Sequence, residues 1–454
     1  MFIKDYFFIL SLIGTTIQQL LLAASTYCIA LAGMSLTAND FTDLKKYIII
    51  FFIFALLAYV TSSFCQILCV KSQNKIWRNY AERTIKSLEL KMEYSSNKNR
   101  KMVSQWLSSE ALPTIDMATG FYIGLLSTIL NIVLTVIVFF ISLGSDLGII
   151  VVFSLALSVF LIFMCRNQIE TLSSIMQARR VNVSLKITPF IENAFYGSRF
   201  MIQQARKDFR DSTKNYFVAT ERYSRLEQLV ACAPVVVSVS ILLISVALQD
   251  LTNGLVLGAF VAVLPRSLQL FGNAHSLSMY LAQFVMVRKK QKNLEDFIDT
   301  LESFSLLEAV NLNNINVAMN GSDKIINVSE LERYISDGKT CGRVLISGPN
   351  GSGKTTYLKI LKSRFPDAIL LSVNSQLIDQ AENLSSGERQ MYMLDHISKQ
   401  GSKLLLLDEW DSNLDNKNLE IVDCLIEEMA LDMLVVEIRH NRIKTEKALE
   451  KTHA

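Results

Sequence analysis

The sequence has few charged residues. Asp, Glu, Lys and Arg make up 19% of its 454 residues, whereas soluble domains average roughly 25%. The deficit is concentrated in the first two thirds of the chain, which excludes a purely soluble enzyme and a disordered chain. Six prolines and 18 glycines exclude a collagen-like or low-complexity protein. The net charge of +3 gives no reason to expect a nucleic-acid partner.

Cysteine is also scarce and shows no pattern. The seven cysteines are an odd number, and most of them lie in or beside apolar segments, where cysteine behaves as a small hydrophobic residue. No cluster of His and Cys completes a metal site. We therefore expect neither a disulfide framework nor a zinc site.

Long apolar runs are what the sequence does contain, and the mean hydropathy is +0.30. A helix needs about 20 apolar residues to cross a bilayer, and six runs are long enough. The predicted spans are about 7–33, 47–70, 119–143, 147–166, 228–249 and 254–276. Together they predict an α-helical membrane domain over residues 1–292.

Basic residues are concentrated on one side of these spans. Nine Lys and Arg lie in residues 71–116 and eleven in 166–227, whereas the loop at 35–46 has only Lys45 and Lys46. Because positive loops stay inside, we expect both termini in the cytoplasm and a multi-pass protein of the bacterial plasma membrane. The two basic segments carry apolar residues at helical spacing, which predicts helices extending into the cytoplasm with turns near 95–106 and 190–202.

A phosphate-binding motif lies in the remaining, ordinarily charged part of the chain. Residues 348–355 read GPNGSGKT, after an apolar strand at 343–347 and before a helical run at 356–361. This is the G-x-x-x-x-G-K-[ST] loop, whose backbone N–H groups bind phosphates at a helix N-terminus. Lys354 is expected on the β- and γ-phosphates, and the Thr355 hydroxyl on Mg²⁺. The nucleotide-binding residues predicted here are Gly348, Asn350, Gly351, Ser352, Gly353, Lys354, Thr355 and Thr356.

Two carboxylates follow a second apolar strand, four leucines at 404–407. Such a run suits a parallel strand covered on both faces, and ligands of open α/β sheets bind at the carboxyl ends of strands. Asp408 is predicted to bind Mg²⁺. Glu409 is predicted to be the catalytic residue that orients or deprotonates the attacking water.

Between these motifs, residues 384–389 read LSSGER, which resembles the L-S-G-G-Q signature of the ATP-binding-cassette (ABC) transporter family. Gln376, Asp415 and His440 match that family's Q-loop, D-loop and switch histidine, in the expected order. The resemblance implies catalytic roles for Gln376 and His440 and a metal contact for Gln376. It also implies nucleotide contacts from Ser385, Ser386, Gly387, Glu388 and Asp415.

The resemblance covers the whole chain, because six spans followed by one cassette is the layout of an exporter half-transporter. It implies ATP and Mg²⁺ as cofactors and a second half-transporter as partner, most simply in a homodimer, with a heterodimer left open. The expected fold is the helical membrane domain, a linker at 293–308 and a shortened α/β P-loop NTPase cassette at 309–454. The expected function is ATP-driven export of a peptide or amphipathic small molecule by alternating access.

Departures from the family pattern leave two alternatives open. Eight positions separate Gln376 from Leu384, the signature is altered, and no aromatic residue occurs near 320–323 to stack on adenine. A catalytically weak regulatory subunit that uses ATP binding as a switch is therefore one alternative. An exporter-fold importer of a siderophore is the other, and the Asp-Glu-Trp run at 408–410 resembles the cyclic-peptide and siderophore exporter branch.

One charge interrupts the sixth span. Arg266 lies about 12 residues, or roughly 18 Å, inside it, and a charge at that depth marks a functional site by default. It is a candidate for the transport cavity; a structural bond to a carbonyl or snorkelling to the cytoplasm is the equal alternative. Gln18, Gln19 and Asn131 are expected to join helices, and Asn273 is expected where span six leaves the bilayer.

Overall fold

The computed structural model describes residues 2–143, 145–248, 254–319, 325–337, 341–372, 386–412 and 414–439. The chain divides into two compact units. The first comprises Met1–Glu82 and Trp106–Phe297, and the second comprises Arg83–Gln105 and Ile298–Ala454.

Long helices make up the first unit. The helices before the sheet of the second unit are α1 (Tyr6–Thr37), α2 (Phe41–Leu88), α3 (Asn97–Gln105), α4 (Leu112–Leu143), α5 (Ser145–Tyr196), α6 (Arg199–Leu248) and α7 (Gly254–Glu295). Within the described residues, each predicted span lies on one of these helices. By length and composition, α1, α2 and the segment Asn97–Ser142 could cross a membrane among the residues described. The remaining three spans stay predictions.

Two closely packed sets of helices in the first unit are joined by contacts of α4 with α5 and of α6 with α7. α1 packs against α4 and α7, α4 also contacts α7, and α5 runs along α6. The α1–α7 contact is close at Gly33 and Gly258, where a Cβ on either glycine would collide with the carbonyl oxygen of the other. Small residues of this kind let membrane helices approach without a side chain between them.

One of the two expected turns lies earlier than predicted. α2 ends at Leu88 and the chain bends over 89–96, where Leu90 has φ 60°. The predicted turn at 95–106 is instead mostly helix α3, because the Ser96 hydroxyl accepts the N–H of Asn99 at 3.1 Å and caps its start. The second turn separates α5 from α6 at 197–198, inside the predicted range.

The second unit contains a six-stranded sheet with the order β2-β1-β3-β6-β5-β4. Its strands are β1 (Asn316–Met319), β2 (Ile325–Ile326), β3 (Gly342–Ser347), β4 (Ile369–Ser372), β5 (Leu404–Asp408) and β6 (Leu434–Ile438). β3, β6, β5 and β4 are parallel, and β1 is antiparallel to both β2 and β3. The helices are α8 (Val328–Ser336), α9 (Lys354–Arg364), α10 (Ser386–Ser398) and α11 (Asn416–Asp432).

The four leucines of β5 are covered on both faces, as their sequence predicts. Leu404 and Leu406 join the hydrophobic cluster that α8 and α9 form with one face of the sheet. Leu405 and Leu407 join the cluster that α10 and α11 form with the other. Alternate residues of a strand point to opposite faces, so β5 is buried throughout and delivers Asp408 at its end.

Candidate functional site

The phosphate loop connects β3 to α9, where the sequence motif places it. Gly351 and Gly353 have φ of +82° and +87°, a left-handed conformation that favours glycine. A Cβ at Gly353 would also lie 2.5 Å from the backbone oxygen of Ala309. The loop geometry therefore requires glycine at position 353 for two independent reasons.

The lysine of the motif folds back over the loop. The Lys354 ammonium donates to the carbonyl oxygens of Gly348 at 3.0 Å and Pro349 at 3.1 Å. Both carbonyls belong to the loop that would surround the phosphates. The ammonium is thus held over the loop by two carbonyls, which phosphate oxygens could replace.

Thr355 and Asp408 lie together, although 53 positions separate them in the sequence. The Thr355 hydroxyl donates to the Asp408 carboxylate at 2.9 Å. Sheet register explains the contact, because Ile346, at the end of β3, and Asp408 both pair with Ile438 of β6. The two predicted metal ligands are thereby brought to the same edge of the sheet.

Burial sets the acidity of Asp408. Desolvation raises the pKa of this carboxyl above its ordinary value, and the nearby charge of Glu409 acts in the same direction. The hydrogen bond from Thr355 and the charges of Lys359 and Lys354 oppose that shift. A divalent cation would remove the cost of ionising the carboxylate, so the electrostatics of the site favour one.

The donor atoms at this edge fit Mg²⁺. A hydroxyl and a carboxylate are hard oxygen ligands, and Mg²⁺ is commonly held by one or two such groups together with substrate phosphates. Among the described residues, no group of three or more His, Cys, Asp or Glu side chains could hold a metal. Thr355 and Asp408 would therefore supply part of a coordination shell that a nucleotide would complete.

Glu409 has a strained backbone. Its φ is 50°, unusual for a residue other than glycine, and its N–H donates to the carbonyl of Ile438 at 3.0 Å. The residue is half-buried and lines a cavity of about 720 Å³ together with Thr355, Lys359 and Asp408. Backbone strain at a position directed into a cavity is typical of functional residues.

A buried polar cluster behind Glu409 was not predicted from the sequence. The indole N–H of Trp410, which is 1% exposed, donates to Glu437 at 2.8 Å. Glu437 also accepts from Arg343 at 2.9 and 3.0 Å, and Arg343 contacts Asp423 at 2.5 Å. The available signal was a single charge in each of two otherwise apolar strands, β3 and β6. A lone charge on a buried strand requires a partner.

The remaining family positions fall into two groups. Ser386, Gly387 and Glu388 begin α10, and Asp415 caps α11 by accepting the N–H of Asn418 at 2.8 Å. Gln376, Ser385 and His440 lie outside the described residues, as does the 320–323 region. The predicted nucleotide contacts of both groups stay predictions, as do those of Asn350 and Thr356.

Arg266 lines a polar cavity of about 320 Å³ in the first unit. One of its Nη atoms donates to Gln269 at 2.5 Å. Three amides nearby bond in series: Asn273 donates to Asn131 at 2.6 Å, and Asn131 donates to Gln19 at 2.8 Å. Gln19 and Asn131 join helices as predicted. Asn273 lies beside Asn131, at the middle of predicted span three, and its position at a membrane exit stays a prediction.

Comparison with known proteins identifies the fold. No family model and no curated protein sequence matches the chain. Among solved structures, the chain is similar to a bacterial Atm1-family ABC exporter with ATP bound. The TM-score is 0.60, the alignment covers 96% of this chain and 92% of that chain, and the sequence identity is 13%. The chain therefore has the fold of an ABC exporter half-transporter.

Proposed function

We propose that the protein is an ATP-driven membrane transporter that works as a dimer of half-transporters by alternating access. The observation that carries the proposal is the hydrogen bond of 2.9 Å between Thr355 and Asp408. It lies beside a loop whose two glycines adopt the left-handed conformation. The proposal is supported by helices apolar enough to cross a membrane and by the exporter fold.

The loop residues suggest how ATP would be held. Backbone N–H groups at the start of α9 bind the phosphates, and Lys354 moves from two loop carbonyls to the phosphate oxygens. Thr355 and Asp408 would hold Mg²⁺, which neutralises charge on the β- and γ-phosphates when bound. Glu409, at the edge of the cavity, accepts a hydrogen bond from the attacking water and orients it.

A second chain would complete each site. In this proposal, Ser385, Ser386, Gly387, Glu388 and Asp415 face the nucleotide of the partner, while Gln376 and His440 sense the γ-phosphate in their own chain. When the two cassettes close on ATP, the membrane helices rearrange so that the transport cavity opens to the outside. In this proposal the chain lies in the bacterial plasma membrane, with both termini and the cassette in the cytoplasm. The cargo is a peptide or amphipathic small molecule.

ATP hydrolysis by purified protein in lipid nanodiscs tests the proposal. Removing the water-orienting carboxylate with Glu409→Gln should lower kcat at least 100-fold, because general-base catalysis contributes roughly 10²–10⁴. Glu428→Gln, on an exposed face of α11, is the matched control and should keep wild-type activity. Equal activity of the two variants would rule out the assigned site.

A catalytically weak regulatory subunit is the second candidate, favoured by the short interval between Gln376 and Leu384. It predicts that the isolated chain binds Mg-ATP but hydrolyses it slowly until a different half-transporter is added. Full Mg-ATPase activity in a homodimer would exclude it. Transport direction, including siderophore import, is decided by assaying uptake and release in proteoliposomes of fixed orientation.

A further inference from the structure

The cavity around Arg266 is built from four helices of the first unit. Gln19 comes from α1, Tyr59 from α2, Asn131 from α4, and Arg266 from α7. Each of these residues lies within about one position of the middle of its predicted span. Four polar side chains from four separate helices therefore line one cavity at positions near the middle of their predicted spans.

The cavity contains a positive charge without a negative one. Among the described residues of its lining, Arg266 is the one charged side chain, and the others are amides, hydroxyls and apolar groups. The Nε of Arg266 is buried and has no hydrogen-bond partner among the described residues. The neighbouring amides Gln19, Asn131 and Asn273 bond to one another, so the donor left unsatisfied is the guanidinium.

The chain cannot supply the missing counterion within the membrane. None of the six predicted spans contains an Asp or Glu. A second copy of the chain would bring the same spans and therefore the same lack. The anion that neutralises Arg266 must come from another molecule.

The depth of the cavity in the membrane decides which kind of molecule could supply that anion. Lipid headgroups lie at the edges of a hydrocarbon core about 30 Å thick, roughly 15 Å from its centre. A cavity at the centre is accessible to a transported molecule that passes through the membrane domain. Its volume of about 320 Å³ is at the lower end of the range for small-molecule sites.

We propose that this cavity binds the carboxylate of an anionic transported molecule, an inference that rests on the proposed transport function. The Nε edge of the Arg266 guanidinium pairs with the carboxylate, a geometry that Arg favours and Lys does not reproduce. Gln18 and Tyr59, also in the lining, hydrogen-bond to the polar groups next to the carboxylate. The bound species is therefore an organic acid with a polar group adjacent to its charge, such as a short peptide with a free C-terminus.

The test compares acids with matched amides. A pool of N-acetyl dipeptides is prepared as free acids and as C-terminal amides, and each is titrated into the full-length protein in neutral-lipid nanodiscs. The readout is the ligand-dependent rise in unfolding temperature, which needs no ATP hydrolysis. We expect the acids to bind on the order of tenfold more tightly than the amides, the effect of one charge-assisted pair.

Substitutions of two arginines on α7 test whether the preference for acids over amides arises at Arg266. Arg266→Gln should abolish the preference. Arg266→Lys, which keeps the positive charge but lacks the two parallel N–H donors of the guanidinium, should retain part of it. Arg288→Gln removes an exposed charge near the end of α7 and should leave the preference intact. Equal binding of the two pools, no binding of either, or a preference that survives Arg266→Gln overturns the proposal.

Two further measurements test whether the bound anion is an inorganic ion or a lipid and not a transported molecule. If chloride in place of a bulky sulfonate anion, at constant ionic strength, abolishes the acid preference, the occupant is an inorganic ion and the proposal is wrong. If mass spectrometry finds an anionic lipid lost in Arg266→Gln while the pools bind equally, the occupant is a lipid, which also overturns it. An acid preference in a protein that neither binds nor hydrolyses Mg-ATP would refute the ATP-driven function while leaving the site established.

Discussion

Replacing Glu437 by Gln tests the buried cluster behind Glu409. The carboxylate accepts from Arg343 through both of its oxygens and from Trp410 through one of them. A glutamine keeps the shape but points an amide N–H₂ at some of these donors. The Arg343 guanidinium, whose side chain is 4% exposed, would then lose its buried counterion.

The expected cost follows from burial. Removing one partner of a buried ion pair costs roughly 3–5 kcal/mol because the remaining charge is left in a medium of low polarity. Arg343 retains contacts with Asp423 at 2.5 Å and Glu427 at 3.2 Å, which places the cost at the lower end. We therefore expect Glu437→Gln to destabilise the cassette by about 3 kcal/mol.

Hydrogen exchange followed by mass spectrometry measures this loss in the full-length protein. A loss of about 3 kcal/mol accelerates exchange on the order of 100-fold in peptides covering β3 and β6, if their protection reports unfolding of the cassette. Peptides from α1, in the other unit, serve as the internal control and should not change.

Glu427→Gln is the matched variant, because it makes the same substitution against the same arginine. The Glu427 side chain is 66% exposed, and exposed pairs contribute at most about 1 kcal/mol. Exchange in β3 and β6 should therefore accelerate no more than about fivefold. Equal acceleration by the two variants would refute the argument that burial decides the contribution of each carboxylate.

Three further predictions concern the phosphate loop and its metal ligands. Gly353→Ala should abolish binding of a fluorescent ATP analogue, since the Cβ meets the Ala309 backbone. Gly401→Ala has the same left-handed strain in open space and should leave that binding unchanged; equal effects would contradict the steric argument. Thr355→Ala should raise the Mg²⁺ concentration needed for half-maximal ATPase activity at least tenfold, while Thr355→Ser stays within about twofold; loss of Mg²⁺ affinity in both would contradict a hydroxyl ligand. Because the pKa of Asp408 is raised, kcat/KM for Mg-ATP should fall on acidification at a pH above 3.8, and the free energy of unfolding should decrease as pH rises through that pKa. Asp408→Asn should remove this decrease, and an unchanged pH profile of stability would refute the assignment.

The phosphate loop and its strands were predictable because their signals are local. A glycine-rich loop between an apolar strand and a helix specifies its own backbone, and four leucines in succession specify a strand covered on both sides. The observed β3, α9 and β5 agree with those expectations. The Thr355–Asp408 contact also followed, since carboxyl ends of parallel strands share one edge.

The contacts between β3 and β6 were not predictable, because they depend on strand order. Arg343 and Glu437 are 94 positions apart, and no local pattern states that β6 lies between β3 and β5. The early end of α2 had no signal either, since leucine rarely adopts the left-handed conformation that Leu90 has.

Trp410 connects the two parts of the proposed ATP site within one cassette. Its backbone carbonyl accepts a hydrogen bond from the side-chain amide of Gln390 at 2.7 Å, and Gln390 lies on α10, whose first residues resemble the signature. Its indole is fixed by Glu437, and the guanidinium of Arg439 lies 5.3 Å above the ring. Since Glu409 directly precedes Trp410, a displacement of α10 would reach Glu409 through the Trp410 backbone, which the buried indole anchors. Engagement of the signature by a partner's nucleotide would in this way be coupled to the position of the water-orienting carboxylate. Trp410→Phe, which keeps the carbonyl and removes the indole N–H, should therefore weaken the coupling while leaving ATP affinity unchanged.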